Sequence, residues 1–226
     1  MNFIGQVPPF DFDGLSPVYY APNINIVARP RWGRASETRG EEPYLTAQLG
    51  LSYVRGMQQK VNGTLLGAAM LKHAFEYNLD TDIPAGGNNT RKRRSYLGFL
   101  SAAEFYLMAV PAFAASIKEA GARTVMCSYP ALKVEPGPPA APMCASELQR
   151  IVLREQLGWD GVLVSDGGAV TMIGPCAEPQ QGPCHNFTRT TEQAAIVALN
   201  AGVDLNSGSF YRKETRTQPN PNHPMN

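Results

Sequence analysis

Long apolar runs are absent from these 226 residues, and with them any stretch able to span a bilayer as a helix, so no membrane is expected as a partner. The opening MNFIGQVPPFDFDG also lacks the charged and apolar segments of a secretory signal. Charge of one sign is missing too. The 20 Lys and Arg stand against 19 Asp and Glu, a formal net charge of +1, so nothing draws the chain toward nucleic acid. No apolar run leads into G-x-G-x-x-G or G-x-x-x-x-G-K-[ST], which speaks against a nucleotide-binding protein. The four cysteines lack the paired CxxC spacing of a zinc site, and no metal or organic cofactor is expected.

What is present describes an ordinary globular chain, 43% hydrophobic and 17% charged. Cys127 and Cys144 flank one Pro-rich loop and Cys176 and Cys184 another, so two disulfides are conceivable, with three pairings open. N-x-[ST] tripeptides at Asn62, Asn88 and Asn186 point the same way, to a secreted, extracellular or cell-wall glycoprotein whose signal lies outside this sequence.

The chain alternates strand and helix. Val18 to Ile26 reads as a strand, and Pro43 opens a helix running to about Gln59 with Leu45, Leu49, Tyr53 and Met57 at i, i+4 spacing. Leu65 to His73 is a second strand, followed by a long polar loop. Ser101 to Ala120 reads as a helix kinked at Pro111, and Thr124 to Tyr129 as a third strand. A loop with five prolines leads to a helix capped by Ser146. Gly161 to Val170, GVLVSDGGAV, is a fourth strand opening into a polar loop; a helix near Thr191 to Asn200 and a short fifth strand at Gly202 to Leu205 follow. The fold class is therefore α/β with a parallel sheet. Met1 to Ser16 reads as an irregular lead-in and 211–226 as a disordered tail.

In parallel α/β folds the chemistry gathers at the carboxyl ends of strands. The polar residues there are Arg31, Trp32 and Arg34 after the first strand, Lys72 and His73 at the second, Tyr129 at the third and Asp166 at the fourth. Cations beside a carboxylate favour its charged form and can hydrogen-bond hydroxyls, while Trp offers an apolar plate for a sugar ring. Each residue taken singly has a plainer explanation. Asp166 can cap the next helix, Lys72 snorkel, His73 sit satisfied in a core, Arg34 pair with Glu37 or Glu41, and Trp32 be a core residue.

Taken together, the stretches PNINIVARPRWGRASETRGEEPYL, YVRGMQ, KHAFEYNLD, VMCSYPA, CASELQRIVLREQLGWDGVLVSDGGAV and AGVDLNSG resemble, in order, the amino-terminal catalytic domain of glycoside hydrolase family 3, β-xylosidase-like branch. The resemblance covers about Ser16 to Phe210. It implies a partial (β/α)8 TIM-type barrel over 1–210, holding roughly the last five strands with the N-terminal strands missing. It also implies a retaining exo-glycosidase that hydrolyses non-reducing-end sugars of plant-type polysaccharides such as xylan. By the same resemblance Asp166 is the nucleophile. Arg34, Lys72 and His73 would hold the sugar hydroxyls, with Met126 and Tyr129 lining that subsite.

The sequence departs from the family where Ser128-Tyr129-Pro130 replaces Ser-Tyr-Asn, and where Gly167-Gly168 follows the nucleophile in place of bulkier residues. The family's general acid comes from a downstream α/β domain, expected to be missing from these 226 residues. The competing expectation is a non-catalytic carbohydrate-binding relative or an inactive fragment.

Overall fold

A computed structural model describes residues 18–30, 32–65, 67–78, 94–175, 184–208 and 210. Its centre is a four-stranded parallel sheet of β1 (Val18–Tyr19), β4 (Ala68–Ala74), β6 (Thr124–Cys127) and β9 (Val162–Ser165), in that spatial order. The first strand is shorter than its β-rich sequence predicts. Beyond Tyr19 the chain bonds to β4 locally, through the Asn23–Lys72 bridge, with Ile24 N–H to Lys72 O at 2.9 Å and Lys72 N–H to Pro22 O at 3.1 Å, and through the Asn25 side chain. The expected fifth strand is reduced to one bridge, Leu205 beside Val164. Four strands and a bridge thus replace the five anticipated.

Helices cover one face. α1 (Pro43–Met57) starts where expected, with Pro43 in its first turn and the Glu42 carboxylate accepting from the Tyr44 and Leu45 N–H groups. It packs against α3 (Pro111–Lys118). Pro111 does break the predicted long helix: α2 (Ala102–Glu104), capped by a reciprocal Ser101–Glu104 box, runs through a π-type turn at Phe105–Ala109 before α3 starts afresh. Phe75 meets Phe105 and Phe113 edge-on at 5.4 and 5.2 Å under these helices. Burying each such ring contributes about 1.5–3 kcal/mol. α4 (Glu147–Gln149) begins at the Ser146 cap and continues as a π-type segment, Arg150–Gln156. α5 (Ala169–Ile173) follows β9 directly, and α6 (Thr191–Asn200) is capped by Thr190. None of the described helices is long and apolar enough to cross a membrane.

Two features lie outside the alternating pattern. Asn62 and Gly63, both with positive φ, turn β2 (Lys60–Val61) into β3 (Thr64–Leu65). The proline-rich loop is partly a second sheet, in which β7 (Ala131–Glu135) pairs parallel with β5 (Leu97–Ser101) and antiparallel with β8 (Ala141–Pro142). Cys127 and Cys144 form a disulfide across this excursion, one of the arrangements open from sequence. With a sequence separation of 17, that closure contributes about 3 kcal/mol through the unfolded chain. Cys184 is also disulfide-bonded. Arg31, Asn88, Cys176, the lead-in and the tail expected at 211–226 lie outside the described residues.

Glu76, just past β4, is 8% exposed and accepts from the Asn78 amide. Burial pushes its carboxyl up to about 7, against the pull of Arg29 and the hydrogen bonds of Tyr96 and Asn78. The folded chain thus binds this proton more tightly than the unfolded chain, where Glu titrates near 4.5. Stability tied to the neutral carboxyl is full below 4.5 and lost as pH rises through about 7. Glu76→Gln should therefore gain stability over the parent as pH is raised from about 4 to about 8, by on the order of 3 kcal/mol. Urea melts at both pH values measure this, and a pH-independent difference would contradict it.

Candidate active site

Strand alternation decides which side chains can meet. Val125, Cys127, Leu71 and Leu163 enter the core beneath the helices, whereas Met70, Met126 and Val164 form a separate cluster on the opposite face with Val18. Lys72 and Asp166 continue the Met70 and Val164 positions two residues on, so both emerge at the carboxyl end of that second face. Met126 is buried beneath them.

Asp166 is held from both sides of its own backbone. Its N–H donates to Cys127 O at 3.2 Å and its carbonyl accepts from Ala169 N at 2.9 Å. Oδ1 accepts from the Gly167 N–H at 2.7 Å. Oδ2 has no hydrogen-bond partner and faces His73 Nε2 at 3.5 Å. The side chain is only 16% exposed. Asp166 is therefore a carboxyl with one oxygen fixed and the other buried without a hydrogen-bond partner, while α5 behind it is entered through Gly168 at φ 74 rather than through an Asp cap.

Around it stand the other strand-tip residues. Arg34 grips Glu37 through two parallel bonds, Nε to Oε1 at 2.6 Å and Nη2 to Oε2 at 2.7 Å. Lys72 Nζ lies 3.7 Å from the same Oε2. Glu37, named from the sequence only as a possible ion-pair partner of Arg34, thus holds both cations together. Tyr77, fully buried, sets its ring under the Arg34 guanidinium at 5.2 Å and against the rings of His73 and Tyr129 at 4.7 and 5.8 Å. Trp32, considered as an exposed sugar plate, is instead 2% exposed and packs edge-on against Tyr77. Tyr129 donates its hydroxyl to Gly167 O at 2.6 Å, and Arg94 lies over its ring at 5.1 Å. His185 Nε2 sits 2.9 Å from Tyr129 O and 3.1 Å from Arg94 O, tying these two segments. Among the described residues no group of three or more His, Cys, Asp or Glu comes together to hold a metal.

The electrostatics correct one expectation. Burial raises the Asp166 pKa, and the Gly167 N–H, Arg34 and Lys72 pull it down without overcoming that. The cations favour the carboxylate as anticipated, but desolvation prevails. Burial likewise lowers Lys72 despite Glu37 and Asp166. Burial opposes the Arg34 charge as well, yet the hydrogen bonds and charge of Glu37 leave Arg34 raised, and the Arg34 hydrogen bond holds Glu37 low. Tyr129 is raised by burial and by the neighbouring Asp166.

The structure therefore brings Arg34, Lys72, His73, Tyr129 and Asp166 to one place, with Met126 below. Sequence reasoning missed Asn25 and Tyr77 as members of the site. A polar residue inside Ile24-Asn25-Ile26 was the available signal for Asn25, which hydrogen-bonds the backbone of His73 and Phe75. Removal of the Glu37 charge should lower the Lys72 pKa further, since Glu37 is the first of the groups raising it. Titrating Glu37→Gln by lysine-selective NMR measures this; a Lys72 midpoint that stays or rises would contradict it.

Residues 14–212 match the family model described as the glycosyl hydrolase family 3 N terminal domain. A probable exo-1,4-beta-xylosidase of Aspergillus clavatus is 35% identical over 202 residues, which are 86% of this chain and 23% of that protein. Beta-D-xylosidase 1 of Arabidopsis thaliana is 34% identical over 194 residues, covering 85% and 22% respectively. The solved GH3 exo-beta-xylosidase XlnD, in complex with a xylobiose aziridine activity-based probe, superposes with a TM-score of 0.73 at 27% identity over 90% of this chain and 25% of that one. A beta-glucosidase from Listeria innocua in complex with glucose gives 0.68 at 31% identity, over 88% and 25%. The chain thus spans about a quarter of the length of the relatives it matches.

Proposed function

The chain belongs to glycosyl hydrolase family 3 through its N-terminal domain, and on that footing we propose that it forms part of the catalytic domain of a retaining, exo-acting, β-xylosidase-like glycosidase. The observation that carries the reading is the Asp166 carboxyl, with Oδ1 bound to the Gly167 N–H and Oδ2 left open beside Arg34, Lys72 and His73. Its four strands and their flanking helices fit a partial barrel over 1–210, completed by strands that are not among those described.

In this reading Arg34 and Lys72 bind hydroxyls of the non-reducing-end sugar, His73 borders it, and Tyr129 and Met126 shape the wall and floor. Asp166 Oδ2 attacks the anomeric carbon as the glycosidic C–O bond breaks, and the departing oxygen takes a proton from a general acid. Water then attacks the anomeric carbon of the glycosyl–Asp166 ester, gives a proton back to the deprotonated general acid, and releases the sugar and the Asp166 carboxylate. Desolvation raises the energy of the bare anion before attack, while the two cations keep it accessible. The acid is assigned to a downstream α/β domain, because Glu37, the carboxylate that shares Lys72 and Arg34 with Asp166, is committed to those two cations. Plant-type polysaccharide oligomers are the proposed substrates, and a secreted or cell-wall location suits them.

The committed state of Glu37 also gives weight to a second reading, a carbohydrate-binding relative that lacks turnover in this form. The two part on covalent chemistry. An activated 2-deoxy-2-fluoro-xyloside, whose leaving group needs no protonation, should label Asp166 in the 226-residue chain. Peptide mapping by mass spectrometry should place the label there, and Asp166→Asn should abolish it. Lys72→Ala should slow labelling about tenfold to a hundredfold, the loss of a charged hydrogen bond of about 1.5–3 kcal/mol. Labelling at another residue would overturn the assignment, and binding without labelling would favour the second reading.

A further inference from the structure

Asn25 is 3% exposed, and its side-chain amide is saturated by one histidine and that histidine's neighbours. Nδ2 donates to His73 O at 2.8 Å and to Phe75 O at 3.3 Å. Oδ1 accepts from the His73 backbone N–H at 2.9 Å and stands 3.0 Å from His73 Nδ1. Turning the amide over would aim its NH2 at a backbone N–H and its oxygen at two carbonyls, so this orientation is fixed by the backbone alone. An oxygen that accepts a bond from the backbone has a second lone pair and no proton to give. The His73 Nδ1 facing it must therefore carry the hydrogen.

With Nδ1 protonated, a neutral His73 has a bare Nε2, and that is the nitrogen 3.5 Å from Asp166 Oδ2. A bare nitrogen facing a carboxylate presents two lone pairs to each other in a pocket that excludes water. One proton between them removes the conflict. We propose that Asn25 is a positioning residue that locks His73 as the Nδ1–H tautomer, so that His73 Nε2 and Asp166 Oδ2 hold one dissociable proton as a pair. This deepens the glycosidase reading and rests on it for its consequence in catalysis.

The charge accounting is simple. With the proton on Nε2 the pair is imidazolium and carboxylate; with it on Oδ2 the pair is imidazole and carboxylic acid; both arrangements are neutral overall. Losing the proton leaves imidazole and carboxylate, one negative charge. Attack on a sugar needs the carboxylate, which the first and third forms supply. The first does so without a bare charge in the pocket, because the imidazolium travels with the anion. The groups facing the pair act in known directions. Arg34 and Lys72 attract the carboxylate, the Gly167 N–H favours it too, and burial opposes it. Against His73 itself lies the edge of the Tyr77 ring, centroids 4.7 Å apart.

The test needs no substitution. In the chain labelled with 15N-histidine, long-range 1H–15N spectra distinguish ring tautomers. His73 should show a protonated Nδ1. His185, whose Nε2 stands within hydrogen-bond distance of two carbonyl oxygens, should show the opposite tautomer and so serves as the internal reference. On titration His73 Nε2 and the Asp166 carboxyl carbon should move in one step with one midpoint. Asn25→Ala should give His73 a mixture of tautomers and slow fluoro-xyloside labelling of Asp166 by at least about tenfold, as wrong-tautomer variants of catalytic histidines do. A bare Nδ1 on His73, or two well-separated midpoints, would overturn the proposal even if labelling is normal. If instead the tautomer and the single step appear but Asp166 is never labelled, the glycosidase reading fails and the proton-sharing pair stands.

Discussion

One constraint governs the site: a carboxyl must be kept away from water yet remain able to carry charge. Asp166 is buried at the end of the face bearing Met126 and Val164, beside Tyr129, and that burial alone favours its protonated form. Arg34 and Lys72 counter this, but two cations held close together repel each other and need an anion of their own. Glu37 fills that need, gripping the guanidinium through both oxygens and sharing one of them with Lys72. The site is thus two opposed carboxyl groups around a pair of cations, with only Asp166 keeping a buried oxygen that has no hydrogen-bond partner.

The fold supplies these groups from four separate places. Asp166 and Lys72 come from strand ends whose alternation puts them on one face, and Arg34 and Glu37 from the loop before α1. Tyr129 comes from the end of β6, where three ties converge. The Cys127–Cys144 disulfide anchors the strand two residues earlier, its hydroxyl bonds Gly167 O, and His185 holds its carbonyl. Pro130 can offer neither a backbone N–H nor the side-chain amide that the family pattern carries at this point, and the His185 ring bonds backbone there instead. The second sheet of β5, β7 and β8 leaves directly from this position, so that excursion starts at the wall of the site.

Much of this was legible in the sequence, for reasons that differ by residue. α1 and α6 were readable because Pro43 and Thr190 mark their starts and their apolar residues recur at helical spacing. The strand before Asp166 was readable because an apolar run ends abruptly in a charged residue and two glycines. β5 and β7 were not, since prolines and polar residues around them masked short strands that pair outside the central sheet. The Asn62-Gly63 hairpin did carry its turn signal, but these residues lie between the expected helix and strand and stood out only as an N-x-[ST] tripeptide. In the site, residues that protrude at strand ends could be named, whereas Asn25, Tyr77 and His185 act through contacts with backbone and rings far along the chain, which one sequence does not display. Trp32 shows the converse error, a residue type suited to sugar stacking that the fold uses as core.

The central claim is that Asp166 Oδ2 is the open oxygen of a cation-flanked nucleophile. The most direct measurement is a crystal structure of the chain after reaction with a 2-fluoro-xyloside. The account predicts an ester bond from Asp166 Oδ2 to the anomeric carbon, Oδ1 still on the Gly167 N–H, and sugar hydroxyls within hydrogen-bond distance of Arg34 and Lys72. A sugar seated away from Asp166, or bound there with Arg34 and Lys72 turned from it, would contradict it.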